Sequence, residues 1–287
     1  MIDQPTLHRP IIAKREVTRH ILRKFDIRAS KRLGQNFLVN EEVVNSIVSR
    51  AEITVGDNVL EIGPGLGTLT QKLIEAGANV KAVEIDAKMI NILATTLEGY
   101  QNVEIIHADV LEVDLEQLFG GQPFKVVANL PYYITTPIVM TLLEKKLPIT
   151  QIVVMMQKEV AERFTATPGG KEYGAVTVAV QYFSVPEMLF EVAPQSFIPE
   201  PAVTSAVVQL KLRSEKPVML IDEDKFFAVI KAAFAQRRKT LSNNLRAYGI
   251  CSEALQALSA TTQIDFSRRG ETLSLQEFAT LANELTK

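Results

Sequence analysis

A glycine-rich turn between two apolar stretches constrains the fold more than any other feature of the sequence. Residues 58–62 are mostly apolar, three glycines follow within residues 63–67, and an amphipathic stretch leads to a second apolar run at 80–85. This order predicts a strand, a turn, a helix and a second strand, which is a βαβ unit. Helix-like and strand-like stretches alternate as far as residue 157. The sequence therefore predicts an α/β fold with a parallel sheet and helices on both faces.

Side-chain spacing predicts further elements on both sides of this alternation. Before it, residues 11–28 and 41–51 show the spacing of two helices separated by a loop. After it, residues 176–183 and 203–212 are rich in β-branched side chains, and we predict that they form two late strands of the sheet. Helical spacing returns after the short polar stretch at 214–217.

The length of the chain allows two domains. At about 100–200 residues per domain, 287 residues fit one large domain and a small companion. We place the sheet-containing domain, with its N-terminal helical segment, at residues 1–213 and a smaller all-helical domain at residues 218–287.

Composition disfavours several classes of function. The longest apolar runs are far shorter than the roughly 20 residues of a membrane-spanning helix, and the N-terminus lacks the apolar segment of a secretory signal. We therefore expect a cytoplasmic protein without a membrane partner. The single cysteine, Cys251, and three distant histidines show no metal-ligand spacing, so no metal is expected. No feature of the sequence demands a dimer, and we expect a monomer.

Charge is segregated along the sequence. The net charge is only −2, but residues 1–50 carry +5, residues 225–287 carry +4 and residues 51–224 carry −11. Basic clusters that flank an acidic centre are typical of a protein that holds a polyanion, although solvated helix faces explain such clusters equally well. Near the C-terminus, the candidate phosphate contacts are Arg237, Arg238 and Lys239.

Three predicted strand ends offer groups that bind a nucleoside. Gly63 and Gly65 lie where backbone amides at a helix N-terminus face a ligand. The third glycine of a dinucleotide fingerprint comes three residues after the second, whereas Gly67 comes one residue earlier, which argues against NAD. Glu84 is placed to accept hydrogen bonds from ribose hydroxyls, and Asp109 is placed to bind the adenine amine. Alternatively, Glu84 forms a surface ion pair and Asp109 caps a helix.

The loop Asn129-Leu130-Pro131-Tyr132 points to methyl transfer. It follows the fourth predicted strand, where chemistry takes place in such sheets, although a plain turn is the alternative. The adenine amine is a poor nucleophile, and acceptors must hold it before it attacks a methyl sulfonium. Asn129 Oδ1 and the Leu130 carbonyl are such acceptors. Pro131 stiffens the loop, and an extruded base can stack on Tyr132.

Chemistry on cytosine carbon 5 is disfavoured. That reaction needs a cysteine nucleophile, and the only thiol, Cys251, lies in the predicted C-terminal domain.

Together these motifs resemble the rRNA adenine dimethyltransferases over essentially the whole chain. The resemblance rests on residues 31–38, 61–67, 129–132 and 196–205, with shorter matches at 157–160, 171–175 and 237–244. It implies a Rossmann-like class I methyltransferase sheet and a smaller helical domain that recognises rRNA. It also implies methyl transfer from S-adenosylmethionine to the N6 amines of two adjacent adenines near the 3′ end of 16S rRNA, within the immature small ribosomal subunit.

The resemblance also assigns roles to individual residues. It implies that an N-terminal segment folds over the cofactor and that Phe197 closes on the second face of the target adenine. A buried core phenylalanine is the alternative for Phe197. The cofactor-binding residues that it implies are Asn36, Leu38, Gly63, Gly65, Glu84, Asp109 and Asn129.

Three other functions remain alternatives. A dimethyltransferase of large-subunit rRNA shares the same motifs and chemistry. A ribosome-assembly factor with secondary methylation uses the same fold mainly for binding. An NAD-linked oxidoreductase is disfavoured because the loop at 129–132 offers no usual proton-transfer group except a tyrosine.

Overall fold

The structure, a computed structural model, describes residues 9–30 and 32–287. Its contacts divide the chain into two compact units. The first holds the described residues up to Lys158 together with Met188–Leu210, and the second holds Glu159–Glu187 and Lys211–Lys287.

The α-helices and β-strands of the described residues are, in chain order, α1 (Arg15–Lys24), β1 (Phe37–Leu38), α2 (Glu41–Arg50), β2 (Asn58–Ile62), α3 (Thr68–Glu75), β3 (Asn79–Glu84), α4 (Ala87–Thr96), β4 (Val103–His107), α5 (Leu115–Phe119), β5 (Phe124–Asn129), α6 (Thr135–Glu144), β6 (Ile149–Gln157), α7 (Lys158–Thr165), α8 (Ala175–Phe183), β7 (Ser184–Val192), β8 (Phe197–Ile198), β9 (Ser205–Leu212), α9 (Glu223–Ala233), α10 (Leu241–Ala247), α11 (Ser252–Thr262) and α12 (Leu275–Glu284).

A seven-stranded sheet organises the α/β part of the chain. Its strand order is β4-β3-β2-β5-β6-β9-β7. Strands β2 to β6 pair in parallel, and β9 runs antiparallel to β6. The α/β prediction with a parallel sheet is therefore confirmed. Because β3 and β5 lie on opposite sides of β2, the strand order reverses between β2 and β5, and such a switch point is where open sheets bind ligands.

The central strands are buried because helices cover both faces of the sheet. The side chains of Val59, Val126 and Val153 are completely inaccessible to solvent. Strands buried on both faces need continuous apolar runs rather than alternation, which is the pattern that β5 and β6 show. The sequence predicted these strands because their apolar runs are short and flanked by turn residues.

The predicted strand at residues 176–183 is wrong, because these residues form helix α8. Gly174 begins the helix, its amide donates to Thr177 Oγ1 (3.0 Å), and Val178 and Tyr182 pack into the apolar core of the second unit. Helical packing thus overrides the strand preference of β-branched residues. The two late strands do exist, but the first of them is β7, and the second is β9, close to its predicted position.

The boundary between the compact units also differs from the predicted domain boundary. The second unit contains residues 159–187 in addition to the helices after residue 218, so α8 and nearly all of α7 belong to it by their contacts. The sequence did not indicate that residues 159–187 belong to the second unit, because they lie between two strands of the sheet along the chain. The assignment of separate functions to two domains stays a prediction.

The segment before α1 is anchored by one buried side chain. Gln71, on α3, is only 2% exposed. Its Oε1 accepts a hydrogen bond from the Ile12 amide (2.9 Å), and its Nε2 donates to the Pro10 carbonyl (3.1 Å). A single amide group therefore satisfies two backbone groups that are otherwise left without a partner.

We predict that Gln71→Leu lowers the free energy of unfolding by about 2–3 kcal/mol, because the Ile12 amide and the Pro10 carbonyl lose their partner. Urea denaturation measures the difference. Gln101→Leu is the matched control, since Gln101 is exposed. Equal denaturation midpoints for the two variants would contradict the anchoring role.

Candidate active site

A cavity of about 160 Å³ opens at the carboxyl ends of the parallel strands. It is lined by the segment at 33–38, the glycine turn, the ends of β3 and β4, and the loop at 129–134. This is the switch point between β2 and β5. The structure brings together there these residues of the predicted site: Asn36, Leu38, Gly63, Gly65, Glu84, Asp109, Asn129, Leu130, Pro131 and Tyr132.

The glycine turn brings its backbone close to the cavity. Gly63 and Gly65 have φ angles of 68° and 58°, in the left-handed region where side chains cause strain. A Cβ on Gly65 would lie 3.5 Å from the Phe37 ring, which covers the turn. Gly67 has another reason to be glycine, because a Cβ there would lie 3.2 Å from the side chains of Leu93 and Leu97. Gly67 also has a left-handed φ of 88°, so both the backbone of the turn and the packing of the helices favour glycine at this position.

Glu84 lies at the end of β3 and is held by two backbone amides. Its Oε2 accepts from the Gly65 amide (3.1 Å), and its Oε1 accepts from the Asp86 amide (2.9 Å). Burial raises the pKa of the Glu84 carboxyl above its usual value, and these two hydrogen bonds oppose the shift. The carboxyl group is thus fixed in orientation at the cavity, and no ion pair joins it to a cation among the described residues.

Glu61 is a second buried carboxyl group at the cavity. Its side chain is 2% exposed, and its Oε2 finds no hydrogen-bond partner in the described part of the chain. Burial raises the pKa of Glu61 to about 8, hydrogen bonding to Thr70 opposes this shift, and the nearby Glu84 carboxyl adds to it. The hydroxyl of Thr68, at the start of α3, also lines this cavity without a partner. Unsatisfied buried polar groups beside a cavity are typical of a site that binds a polar ligand.

Asp109 combines the two roles that the sequence left open. Its Oδ1 accepts a hydrogen bond from the Leu111 amide (2.9 Å), so it caps the turn that follows β4. It also lines the cavity, together with its neighbours Ala108 and Val110. A carboxylate has acceptor capacity beyond one capping bond, so the cap and a ligand contact are compatible.

The loop after β5 is rigid and presents two acceptors. Asn129 Nδ2 donates to the Asn36 carbonyl (3.3 Å), and this hydrogen bond defines which side-chain atom is Oδ1. The Leu130 amide donates to the Met155 carbonyl (3.1 Å). The Pro131 carbonyl accepts from Thr135 Oγ1 (3.0 Å), which holds the turn against α6. These contacts leave Asn129 Oδ1 and the Leu130 carbonyl without a donor among the described residues.

Tyr132 is oriented by a residue that the sequence analysis did not single out. Its hydroxyl lies 2.6 Å from Ser205 Oγ, at the start of β9. Burial raises the pKa of the Tyr132 phenol above its usual value, and the hydrogen bond with Ser205 opposes the shift. Ser205 is the last residue of the motif at 196–205, and its position in that motif was the only available signal.

The N-terminal segment closes the cavity through backbone pairing. Strand β1 pairs antiparallel with β8, so that Phe37 faces Ile198 and Leu38 faces Phe197. Gln35 adds a side-chain link, since its Nε2 donates to Asp86 Oδ2 (2.8 Å). The sequence analysis identified neither Gln35 nor Asp86, because their contact spans 51 residues. Lys31, the first residue of the predicted motif, lies outside the described residues.

Phe197 does not line the cavity. Its ring is completely buried in the core of the first unit, and its backbone holds Leu38. The position agrees with the alternative of a core phenylalanine. The predicted contact with a target adenine is not supported by this arrangement, because no face of the ring is accessible.

The predicted phosphate contacts lie in the second unit, on the loop between α9 and α10. All three side chains are exposed, and Arg237 Nε lies 3.3 Å from Glu271 Oε2. Buried Asn244 fixes the loop, since its Nδ2 donates to the carbonyls of Ala233 (2.7 Å) and Gln236 (3.2 Å). The cations of this loop, Arg237, Arg238 and Lys239, therefore project from a fixed backbone.

No group of three or more histidine, cysteine or acidic residues among the described residues is arranged to hold a metal ion. None of the helices described has both the length and the apolar character needed to cross a bilayer.

Comparison with known proteins identifies relatives along nearly the whole chain. The sequence profile of the family described as ribosomal RNA adenine dimethylase matches residues 27–287. The "Ribosomal RNA small subunit methyltransferase A" of Alkaliphilus metalliredigens is 49% identical over 274 residues, which cover 93% of this chain and 96% of that protein. The protein of the same name from Clostridioides difficile is 45% identical over 277 residues, with 95% and 96% covered.

Solved structures show the same fold. A dimethyladenosine transferase from Plasmodium falciparum superposes with a TM-score of 0.71 at 26% identity, over 87% of this chain and 97% of that one. The 23S rRNA methyltransferase ErmE gives a TM-score of 0.70 at 25% identity, over 88% and 100%. The predicted Rossmann-like methyltransferase sheet is thereby confirmed.

We predict that Glu61 makes stability fall as pH rises. Its pKa, about 8 in the folded chain against 4.5 ordinarily, means that the folded state holds the proton more tightly. This contribution to stability is complete below pH 4.5 and is lost as pH rises to about 8. In Glu61→Gln, the decline in unfolding free energy between pH 5 and pH 8 should shrink by on the order of 3–4 kcal/mol.

Urea denaturation across this pH range measures the decline. Glu116→Gln is the matched control, because Glu116 is exposed. The same pH dependence in all three proteins would mean that Glu61 is ionised throughout the range.

Proposed function

The chain belongs to the ribosomal RNA adenine dimethylase family, and from this premise we propose that its targets are two adjacent adenines near the 3′ end of 16S rRNA. The enzyme transfers methyl groups from S-adenosylmethionine to rRNA adenines. Its relatives in Alkaliphilus metalliredigens and Clostridioides difficile carry the name of a small-subunit enzyme. These relatives support the 16S target over the large-subunit alternative. The likeness to ErmE is the observation that favours the large-subunit alternative.

One observation carries the chemical part of the proposal. Asn129 and Leu130 both line the cavity, and neither Asn129 Oδ1 nor the Leu130 carbonyl has a donor among the described residues, on a loop held by hydrogen bonds. An exocyclic amine has two hydrogens, and two acceptors satisfy both. Holding the amine in this way directs its lone pair toward the methyl group and reduces conjugation with the ring. Tyr132, fixed by Ser205, offers a flat face for the base.

The residues around the cavity fit S-adenosylmethionine. We propose that the Glu84 carboxylate binds the ribose hydroxyls and that Asp109 accepts from the adenine amine, with Gly63 and Gly65 giving room for the backbone to approach. The cofactor supplies an electrophilic methyl group on a cationic sulfonium. Burial raises the pKa of Glu61 to about 8, so this carboxyl is largely protonated near pH 7 and offers a hydrogen bond to a polar ligand rather than a negative charge.

The segment around β1 has a role in excluding water. Asn36 and Leu38 line the cavity, and the Asn36 carbonyl holds the Asn129 amide group. Phe37 covers the glycine turn. We infer that Asn36 and Leu38 contact the cofactor and that Asn36 also positions Asn129. Phe197 supports Leu38 from behind through β8 rather than by contact with the base.

The context of the reaction is also part of the proposal. We infer that the substrate is 16S rRNA in an immature small subunit, that the enzyme acts as a monomer, and that it works in the cytoplasm, where ribosomes assemble. The small-subunit names of the relatives support the substrate. A binding role in subunit assembly is compatible with the same site.

The experiment that tests this function offers labelled S-adenosylmethionine and three substrates: undermethylated small subunits, undermethylated large subunits and short adenine-containing RNA. We expect dimethyladenosine from small subunits alone. In Asn129→Ala the rate should fall about 100-fold or more, because an acceptor for the amine is lost, while RNA binding persists. Asn91→Ala is the matched control, since Asn91 is exposed on α4.

The other results are equally informative. Label in large subunits alone would identify a large-subunit enzyme. Tight binding to small subunits with no label in any substrate would indicate an assembly factor. Full activity of Asn129→Ala would remove that residue from the mechanism.

We predict a separate effect at the loop between α9 and α10. Replacing Arg237, Arg238 and Lys239 by glutamine should weaken rRNA binding and reduce the slope of its salt dependence by about 2–3, because fewer counterions are released. The measurement is the dissociation constant for 16S rRNA at several salt concentrations. The matched control replaces three other exposed lysines of the second unit, Lys171, Lys231 and Lys287. An unchanged slope would place the phosphate contacts elsewhere.

A further inference from the structure

Helix α1 presents a basic face to solvent. Its inner side, which includes Thr18 and Ile21, packs against the core of the first unit. Its outer side carries the exposed Arg19 and Arg23, which are four residues apart and share one face, and the exposed Lys24 follows directly. Exposed cations continue before and after the helix. We call the whole set the α1 surface: Lys14, Arg19, Arg23, Lys24, Arg28 and Arg32.

The cations of the α1 surface have no carboxylate partners. None of them forms a salt bridge with a described residue, and the exposed acidic residues within the same stretch are only Glu16 and Asp26. Four lysines elsewhere in the first unit are paired: Lys72 with Glu41 and Glu75, Lys81 with Glu104, Lys125 with Asp57 and Lys158 with Glu191. Lys88, Lys145 and Lys146 form no salt bridge with a described residue, but they do not form a cluster as large as the α1 surface. An uncompensated patch of like charge suits an anionic partner that is not part of the chain.

The α1 surface is fixed in place. Gln71 holds the backbone just before the helix, and Arg15 Nη2 donates to the Gln195 carbonyl. Thr18 Oγ1 donates to the Ile12 carbonyl (2.7 Å). The cations therefore stand on a docked helix rather than on a free tail, which reduces the entropy lost when they bind.

The same stretch of chain leads directly to the active-site cavity. The Ser30 amide donates to Gln35 Oε1 (2.9 Å), and the Gln35 amide donates to the Ser30 carbonyl (3.2 Å), which closes the loop between them. Arg32 lies within this loop, and the next residue, Leu33, lines the cavity. The basic surface and the cavity are thus continuous within one unit.

We propose that the α1 surface binds the phosphate backbone of the rRNA strand that flanks the target adenines. The proposal rests on the proposed function, since it assumes that RNA enters this cavity. The phosphates of the RNA strand carry no sequence information, so contacts with them set the register of the strand on the α1 surface. Asn129 and Tyr132 then act on the base. This contact is separate from the loop at Arg237–Lys239, which belongs to the second unit.

The test compares two triple variants in binding protein-free 16S rRNA at several salt concentrations. The first variant is Arg19→Gln, Arg23→Gln and Lys24→Gln. The control is Arg50→Gln, Lys145→Gln and Lys146→Gln, which removes the same charge from exposed residues next to the amino ends of β2 and β6, at the opposite edge of the sheet from the cavity. We expect the α1 variant to bind about 10- to 100-fold more weakly near 0.1 M salt, with a slope reduced by about 2.

Binding of S-adenosylmethionine, measured by calorimetry, should be unchanged in both triple variants, which shows that the cavity remains intact. Equal affinities and slopes for the α1 variant and the control would overturn the proposal. A loss seen with whole small subunits but not with protein-free rRNA would also overturn it, and would indicate a ribosomal protein as partner. If the α1 variant binds normally while the natural enzyme produces dimethyladenosine, only the surface is wrong. If the natural enzyme produces none, the proposed function itself fails.

Discussion

Backbone pairing between β1 and β8 is the interaction on which the site depends. A parallel sheet with a switch point leaves a crevice at the carboxyl ends of β2 and β5, open to water on one side. The pairing of Leu38 with Phe197 places the segment at 33–38 across that opening. Once it is there, the Asn36 carbonyl orients Asn129. The sheet therefore supplies most of the groups that we propose for cofactor binding, and the N-terminal segment turns the crevice into a cavity.

The cavity brings two buried carboxyl groups close to each other. Glu61 and Glu84 are both buried, and their carboxyl groups have raised pKa values because of that burial. Burying a carboxyl group costs free energy, which the hydrogen bonds from the Gly65 and Asp86 amides offset in part at Glu84 and protonation offsets at Glu61. Buried carboxyl groups with shifted pKa values beside a cavity are typical of a functional site. The buried carboxyl groups of the cavity contrast with the exposed cations of the α1 surface, for which we propose a separate partner, the phosphate backbone of the RNA.

Local patterns predicted the parts of the site that lie at strand ends. Gly63, Glu84, Asp109 and Asn129 each follow an apolar strand, and parallel strands bring their carboxyl ends together whatever the helices between them. Contacts between distant residues could not be predicted in this way. Ser205 orients Tyr132 across 73 residues, and Gln35 reaches Asp86 across 51. Helix α8 was missed because composition favours a strand where tertiary packing forms a helix, and Phe197 was expected at the cavity because sequence does not show which way its ring faces.

The central claim is that one cavity holds the methyl donor and the target adenine on opposite sides of Asn129. A crystal structure of the enzyme with S-adenosylhomocysteine and a short adenine-containing RNA tests it most directly. The account predicts the ribose at Glu84, the cofactor adenine at Asp109, and the target amine within hydrogen-bond distance of Asn129 Oδ1 and the Leu130 carbonyl. A nucleoside bound away from Glu84, or a target base that does not reach Asn129, would contradict it.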